Sequence, residues 1–317
     1  MLARPTCFRN LHQCLKTSKD GVKLLAPPSP PIKNSTGELL KFHAVTNVLR
    51  QFFIKKRFVE VNPQSRISIL AACEDPWTIG KFKREGEWWP LPQTGQMWLE
   101  HDLLKNPRLN GVFCVTTSYR WEKNLVEGRH EPTGVFPMFE VESKGNMRDM
   151  IELQKEMLEA LGFSRTLFNE LDYSTACNRY NSKEIEHEEE KKMYNDYGPT
   201  TFLKHFPLET HPFWNMKLVN VEGVTKAAKV DVIIGGQETI GSAERSCDKD
   251  EMRERFFGVE DGRYANKLFE LFGEERVIHE LDEFLNLDFF PRFGWGKGIK
   301  RLIAGMEKEG IFPEGDE

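Results

Sequence analysis

Gly294, Gly296 and Gly298 alternate along one short segment, and Arg301 stands three residues beyond the last of them. Glycines at that spacing let a strand and the start of a helix approach a ligand with no side chain in between. An arginine on the first turn of that helix carries a planar guanidinium suited to a phosphate. A tight bend in a strand would use the same glycines, so the run gains meaning only from its company. Tyr119-Arg120-Trp121-Glu122 reads as strand and is followed by Arg129-His130 and then Phe136. An arginine leaving a buried strand is costly unless it meets an anion, and Glu122, two residues on, projects from the same side. A cation beside an acceptor suits a ligand with both a phosphate and an amine, as in an adenine nucleotide; a structural Arg–Glu pair would look the same. The third group is Asp231 and Glu238, then Gly241, Ser242 and Arg245. Two carboxylates on adjoining strand segments can share a Mg2+ that carries triphosphate oxygens. A turn with a surface charge pair is the plainer alternative.

Composition narrows the setting. With 317 residues, 39% hydrophobic and 29% charged, the chain can hold one large domain or two small ones. It has no apolar run of 18 residues and hence no membrane-spanning helix. A net charge of −5 argues against a protein devoted to gripping nucleic-acid backbones. Cys7, Cys14, Cys73, Cys114, Cys177 and Cys247 form no CxxC pair, which excludes a zinc ribbon and points to a reducing, cytoplasmic setting. Residues 1–38 read differently: Arg4, Arg9, Lys16, Lys19 and Lys23 face one acid, Asp20, before Pro27-Pro28-Ser29-Pro30-Pro31. This is an N-terminal extension with a proline-rich linker; residues 1–25 also fit an organellar address, being basic and poor in acids. The folded domain is expected over residues 39–317.

The elements that must position these groups follow from periodicity. Lys41 to Arg57 has Phe42, Val45, Val48, Leu49, Phe52 and Phe53 at helical spacing. Phe58 to Pro63 alternates like a strand. Residues 88–103 and 111–120 read as strand, short helix, strand, and Phe136 to Glu142 alternates again. Met147 to Leu161 is an amphipathic helix, and the mixed charges of Lys183 to Lys192 suggest a solvated helix face. Val230 to Ile234 runs into Gly235-Gly236, Asp248 to Phe257 and Val277 to Leu285 are helical, and Phe289 to Trp295 is a strand feeding the helix of Arg301. Hairpins outnumber βαβ alternation, which predicts a single α+β domain around a mostly antiparallel sheet flanked by helices.

Taken together, residues from about 40 to 315 resemble the catalytic domain of class II aminoacyl-tRNA synthetases, within the aspartyl/asparaginyl branch. Arg50 to Pro63 is similar to the family's first motif, a helix and a proline-ended strand that build a homodimer interface. Arg120, Glu122 and Phe136 resemble the second motif; Gly294, Gly296, Gly298 and Arg301 match the third at every position. The resemblance implies that Arg120 holds the α-phosphate and the reacting carboxylate, Glu122 accepts the adenine amino group and Phe136 stacks on the ring. Arg301 would clamp the far side of the ATP, Gly296 and Gly298 would line it, and His130 would lie near its terminal phosphates. Asp231 and Glu238 fall where the family binds Mg2+. Leu91 to Glu100 is similar to the branch's substrate strand, where Gln96 would take the α-amino group. Leu99 stands where aspartyl enzymes carry a lysine, and Leu99-Glu100 resembles asparaginyl enzymes, whose acid can accept from a side-chain amide. Cys73-Glu74 resembles the mobile loop over the amino acid, and Arg245 the arginine that reads its side chain, with Gly241 beside it.

Two departures stand against this match. Relatives that charge tRNA carry an N-terminal OB-fold of about a hundred residues, whereas only about 38 residues precede the domain here. The loop from Glu122 to Phe136 is also longer than the family's. The sequence therefore favours an AMP-forming ligase, with ATP and Mg2+, that activates aspartate and transfers it to ammonia as truncated, archaeal-type asparagine synthetases do. Charging tRNA with asparagine, or joining an Asp/Asn-like acid to another amine, are the alternatives.

Overall fold

The computed structural model describes residues 36–63, 68–69, 75–120, 134–210 and 212–312. Glu74, Glu122 and His130, and the Cys73-Glu74 loop assignment, lie outside the described residues. In chain order the elements are α1 (Thr36–Lys55), β1 (Val59–Glu60), β2 (Lys81–Arg84), β3 (Glu87–Pro90), α2 (Gln96–Lys105), β4 (Gly111–Tyr119) and β5 (Val135–Lys144). Then come α3 (Met147–Ala160), β6 (Phe168–Asp172), α4 (Tyr173–Tyr180), α5 (His187–Tyr197), β7 (Thr200–Pro207), β8 (Leu218–Val221) and β9 (Val224–Ile234). The chain closes with β10 (Gln237–Glu244), α6 (Lys249–Gly258), α7 (Arg263–Phe272), α8 (Glu274–Leu285), β11 (Arg292–Gly298) and α9 (Ile299–Lys308).

Local chemistry sets several boundaries. α3 begins at Asn146, whose side chain accepts from the backbone N–H of Arg148 and Asp149 while Asp149 reaches back to the Asn146 N–H, a reciprocal cap. β9 turns into β10 through Gly235 and Gly236 at φ 61° and 83°, the pair of positive angles that a two-residue hairpin requires. The strand predicted for Phe58 to Pro63 is short: Val59 and Glu60 pair parallel to β4, and the Val61 N–H donates to the Phe113 carbonyl at 2.9 Å. Leu91 to Glu100, likened above to a strand, is instead a loop entering α2 at Gln96.

A nine-stranded sheet runs in the order β1-β4-β5-β11-β10-β9-β7-β6, with β8 paired to β9. Among the described residues only β1–β4 and β6–β7 are parallel, so the expected mostly antiparallel α+β architecture is what the chain adopts. One face carries Phe113, Phe139, Val141, Val230, Val232, Ile240, Phe293 and Trp295 against Leu49 and Phe53 of α1, Met150 and Met157 of α3, and Leu302 and Met306 of α9. Burying that many large apolar side chains at ~1.5–3 kcal/mol each makes this the rigid back wall of the sheet. The opposite face is polar. α2 covers part of it, with Leu99 and Leu103 packed on Val112 and Cys114.

Candidate active site

The polar face follows from register. Gly296 lies opposite Glu140 on one side and Gly241 on the other, and Gly241 lies opposite Asp231. One row across four strands therefore reads Glu140, Gly296, Gly241, Asp231. Side chains at paired positions share a face, so two adjacent glycines leave a trough between two acids. Three strand spacings separate those acids, about 14 Å. Towards one end of the trough the next row is Met138 and Gly298, then Phe136 opposite Ser118. Arg120 follows directly on β4, its backbone N–H donating to the Gly134 carbonyl at 2.8 Å. Arg301 follows β11 on the first turn of α9 and donates to the Glu238 carbonyl at 3.1 Å. Arg120, Phe136, Gly298, Arg301 and Glu238 thus converge on one end of the sheet. Phe136 is half-buried there.

Towards the other end, Gly294 pairs with Glu142 and Ala243, and a buried charge cluster fills the space. A Cβ on Gly294 would overlap the Glu142 carboxylate and stand 2.6 Å from Gln96 Oε1 and 2.7 Å from Arg245 Nη2. The glycine is required there by close approach. Arg245, 1% exposed, donates to Gln96 Oε1 at 2.6 Å and to Glu142 Oε1 and Oε2 at 3.3 and 3.2 Å, and lies 3.4 Å from Glu100 Oε1. Arg292 forks onto Glu100 Oε2 at 3.1 and 2.8 Å. Asn215 donates its amide to Glu100 Oε1 at 2.6 Å. Gln96 is consumed by this frame too: its amide donates to the Trp295 carbonyl at 2.9 Å. Glu140 accepts from Thr94 Oγ1 and from the Gly95 N–H. Burial pushes Glu140 up to about 7, and Glu142 likewise, with the Arg245 guanidinium pulling Glu142 back down.

The acid pair forms the far wall. Burial lifts Asp231 to about 7; Lys229, at 2.8 Å from its Oδ2, pulls it back, and Glu238 pushes it further up. Its Oδ1 is buried without a hydrogen-bond partner. A buried carboxylate oxygen left unbonded beside a second acid is what a hard divalent cation satisfies, so this pair fits Mg2+. One sequence expectation needs correction here. The Lys183–Lys192 stretch is not only a solvated face: Glu190 of α5 is 4% exposed and accepts the Glu238 N–H at 3.0 Å.

Sequence reasoning missed Glu140, Glu142, Arg292 and Asn215. The first two were within reach. Once Phe139 and Val141 are assigned to the core, alternation sends both acids to the glycine face. Arg292, two residues before Gly294, follows by the same rule. Asn215 comes from a connecting segment and had no local signal.

Among solved structures, the chain is similar to asparaginyl-tRNA synthetase from Pyrococcus horikoshii complexed with asparaginyl-adenylate: TM-score 0.66, 21% identity, 92% of this chain and 75% of that one. The Entamoeba histolytica asparaginyl-tRNA synthetase in complex with asparaginyl-adenylate gives 0.65, 18%, 91% and 73%. Aspartyl tRNA synthetase from the same organism gives 0.60, 16%, 98% and 67%, so the fold does not separate the two amino acids. By sequence, the cytoplasmic asparagine–tRNA ligase of Debaryomyces hansenii is 24% identical over 242 residues, 64% of this chain. The match covers 42% of that relative, so the chain spans less than half the length of the curated relative it matches. The family model for class II tRNA synthetases (D, K and N) matches residues 33–310. With nearly the whole described chain inside that match, the protein belongs to the family of class II tRNA synthetases (D, K and N).

Proposed function

We propose that this chain activates asparagine as an adenylate and transfers it to tRNA. The charge balance of the pocket carries the choice. Among the described residues, the Gly294 end gathers three carboxylates, Glu100, Glu140 and Glu142, around two guanidiniums, Arg245 and Arg292. With all three carboxylates ionised, an α-ammonium offsets the surplus acid. A side-chain carboxamide then adds no charge, whereas a second carboxylate would leave a desolvated anion unpaired. Glu100 already accepts an amide N–H from Asn215, the contact that a substrate carboxamide would need. The match to an asparagine–tRNA ligase supports the same choice. The order of the two sequence-based readings is thereby reversed: ligation of aspartate to ammonia becomes the competing outcome.

In this reading the asparagine carboxylate attacks the α-phosphorus of ATP in line, and pyrophosphate leaves. Arg120 holds the attacking carboxylate and the α-phosphate, stabilising the charge that builds on phosphorus. Phe136 stacks on the adenine and Arg301 clamps the nucleotide from the α9 side. Gly296 and Gly241 keep the trough open so that the adenylate can lie along the strands. Asp231 and Glu238 would hold the Mg2+, which supplies charge neutralisation for the triphosphate. No side chain needs to become covalently linked, so positioning and fixed charge supply most of the acceleration. The tRNA terminal hydroxyl then opens the acyl-adenylate and AMP departs. We assign a homodimer to the same reading, with Leu39, Ile54 and Val59, exposed along and just beyond α1, as its apolar contact.

The test is incubation with ATP, Mg2+, labelled asparagine and bulk tRNA. Label made acid-precipitable and ribonuclease-sensitive is the expected result. Free asparagine formed from aspartate and ammonium without tRNA would replace this reading by the ammonia ligase.

A further inference from the structure

We propose that the β2–β3 hairpin, with Trp77 at its base, is a stacking track for the single-stranded end of the RNA that receives the activated amino acid. This rests on the tRNA-charging reading above and names the surface that guides the acceptor to the trough.

The hairpin has an anchored face and an open face. Phe82 pairs with Trp89, Lys83 with Trp88, and Lys81 with Pro90. Alternation therefore sends Trp89 and Glu87 to one side and Trp88, Lys81 and Lys83 to the other. On the first side, Arg276 of α8 stacks on the Trp89 ring at 4.0 Å, donates to the Trp88 carbonyl at 2.9 Å and is held by Glu280 at 2.9 Å. On the second side, Trp88 is 43% exposed, with the Lys81 and Lys83 ammonium groups 5.2 and 5.7 Å from its ring centre. Trp77 repeats the arrangement: 42% exposed, with Lys267 of α7 5.3 Å from its ring centre. A large indole held out in water by an anchored backbone is an interaction site in waiting.

Its position says for what. The hairpin stem is joined to the strand end that carries Arg120. Ile79 bridges Arg120 directly, the Leu91 N–H donates to Gly80 at 2.7 Å, and the Tyr119 N–H donates to Pro92 at 2.8 Å. Trp88 stands three residues up from Leu91, about 10 Å along an extended strand, and Trp77 precedes Ile79 by two. A flexible chain lying on Trp88 could thus reach the mouth of the trough within a few residues' length. Trp88 flanked by two ammonium groups, and Trp77 by Lys267, which Glu270 also holds at 2.8 Å, match a polyanion with π-faces: bases stack on the indoles without regard to sequence, and phosphates meet Lys81 and Lys83. A protein partner would call for a continuous apolar patch, whereas here the cations interrupt the apolar surface.

The experiment uses the full chain and a labelled 12-nucleotide single-stranded RNA ending in CCA. Binding is read by anisotropy across a salt series, and tRNA charging and asparagine-dependent pyrophosphate exchange are measured in parallel. Trp88→Ala should weaken RNA binding about tenfold, the scale of one lost base stack, and lower kcat/KM for tRNA similarly. The Lys81→Ala, Lys83→Ala double variant should flatten the slope of log K against log salt by about 1.4, about 0.7 for each phosphate contact. Pyrophosphate exchange should stay at the wild-type rate in both. If wild type charges tRNA and Trp88→Ala charges it equally well, this inference fails while the functional reading stands. If wild type neither binds the RNA nor charges tRNA, both fail.

Discussion

The two faces of β11 show what a buried charge requires. On the glycine face, Arg245, Arg292, Glu100 and Glu142 are almost wholly removed from water, yet each meets an opposite charge. On the apolar face, Lys297 is equally buried between the same glycines, but among the described residues its Nζ meets only Met157 Sδ and the face of Phe139. A thioether is a weak acceptor. Burial therefore drives the Lys297 amine well below its ordinary range. Gln154, three residues before Met157 on α3, is buried with neither amide atom bonded. Nothing in the structure explains Lys297. One face pairs its buried charges, and the other carries charge at a cost.

That contrast predicts opposite responses to removing a cation. Arg292→Ala takes both guanidinium bonds from Glu100 Oε2 and leaves Glu100 only Arg245 and Asn215 on its other oxygen; it should destabilise the fold by about 3 kcal/mol, the low end of breaking a buried pair from one side, and denaturant titration measures it. Next in size, Gly294→Ala drives a methyl into Glu142, Gln96 and Arg245 and should lower pyrophosphate exchange at least about 100-fold, since an ångström of misplacement costs that much. Gly296→Ala should disturb the fold less, because its nearest neighbour is the flexible Met138 Cε at 3.0 Å; denaturant titration separates the two. Lys297→Met should do the reverse of Arg292→Ala and stabilise by about 1–3 kcal/mol, the mutational cost of a buried polar group without a hydrogen bond. The sign carries a pH signature. A lysine lowered in the folded state takes up its proton on unfolding, so wild-type stability rises as pH climbs towards the free-lysine range. The gain from Lys297→Met should therefore be largest at acid pH and shrink as pH rises.

Glu140 provides the smallest and most specific comparison. Its carboxyl is raised to about 7, so the folded state holds a proton that the unfolded state has lost. Its contribution favours folding at acid pH and fades as pH rises from about 4.5 to about 7. Glu140→Gln should flatten that part of the thermal-stability profile. If the ionised form receives an α-ammonium, KM for asparagine should rise as pH falls below about 7, by at most about tenfold per pH unit.

Much of this face was legible because its devices are local. Alternating glycines, an arginine at a fixed offset and an acid pair bracketing a Gly-Gly turn each declare themselves within ten residues. So do α3, with its reciprocal cap, and the β9–β10 hairpin. The cluster around Glu100 was less legible because its partners come from α2, β5, β10, β11 and the segment holding Asn215, and only the sheet register brings them together. The same limit hid α7 and the β6–β7 pair. Arg263 to Phe272 begins at Gly262 without a side-chain cap, and β6 and β7 pair in parallel across the whole α4–α5 excursion. The kink before α7, with Glu260 and Asp261 at φ 51° and 56°, gave no sequence signal.

The central claim is that the trough, beside the charge cluster at Gly294, accepts an amino acid with a neutral amide and presents its carboxylate to ATP at Arg120. Amino-acid-dependent exchange of labelled pyrophosphate into ATP, with asparagine and aspartate side by side, tests it most directly. Rapid exchange with asparagine, little with aspartate, and loss of both in Arg120→Ala are the predicted results. Exchange that prefers aspartate, or that survives in Arg120→Ala, would contradict the account.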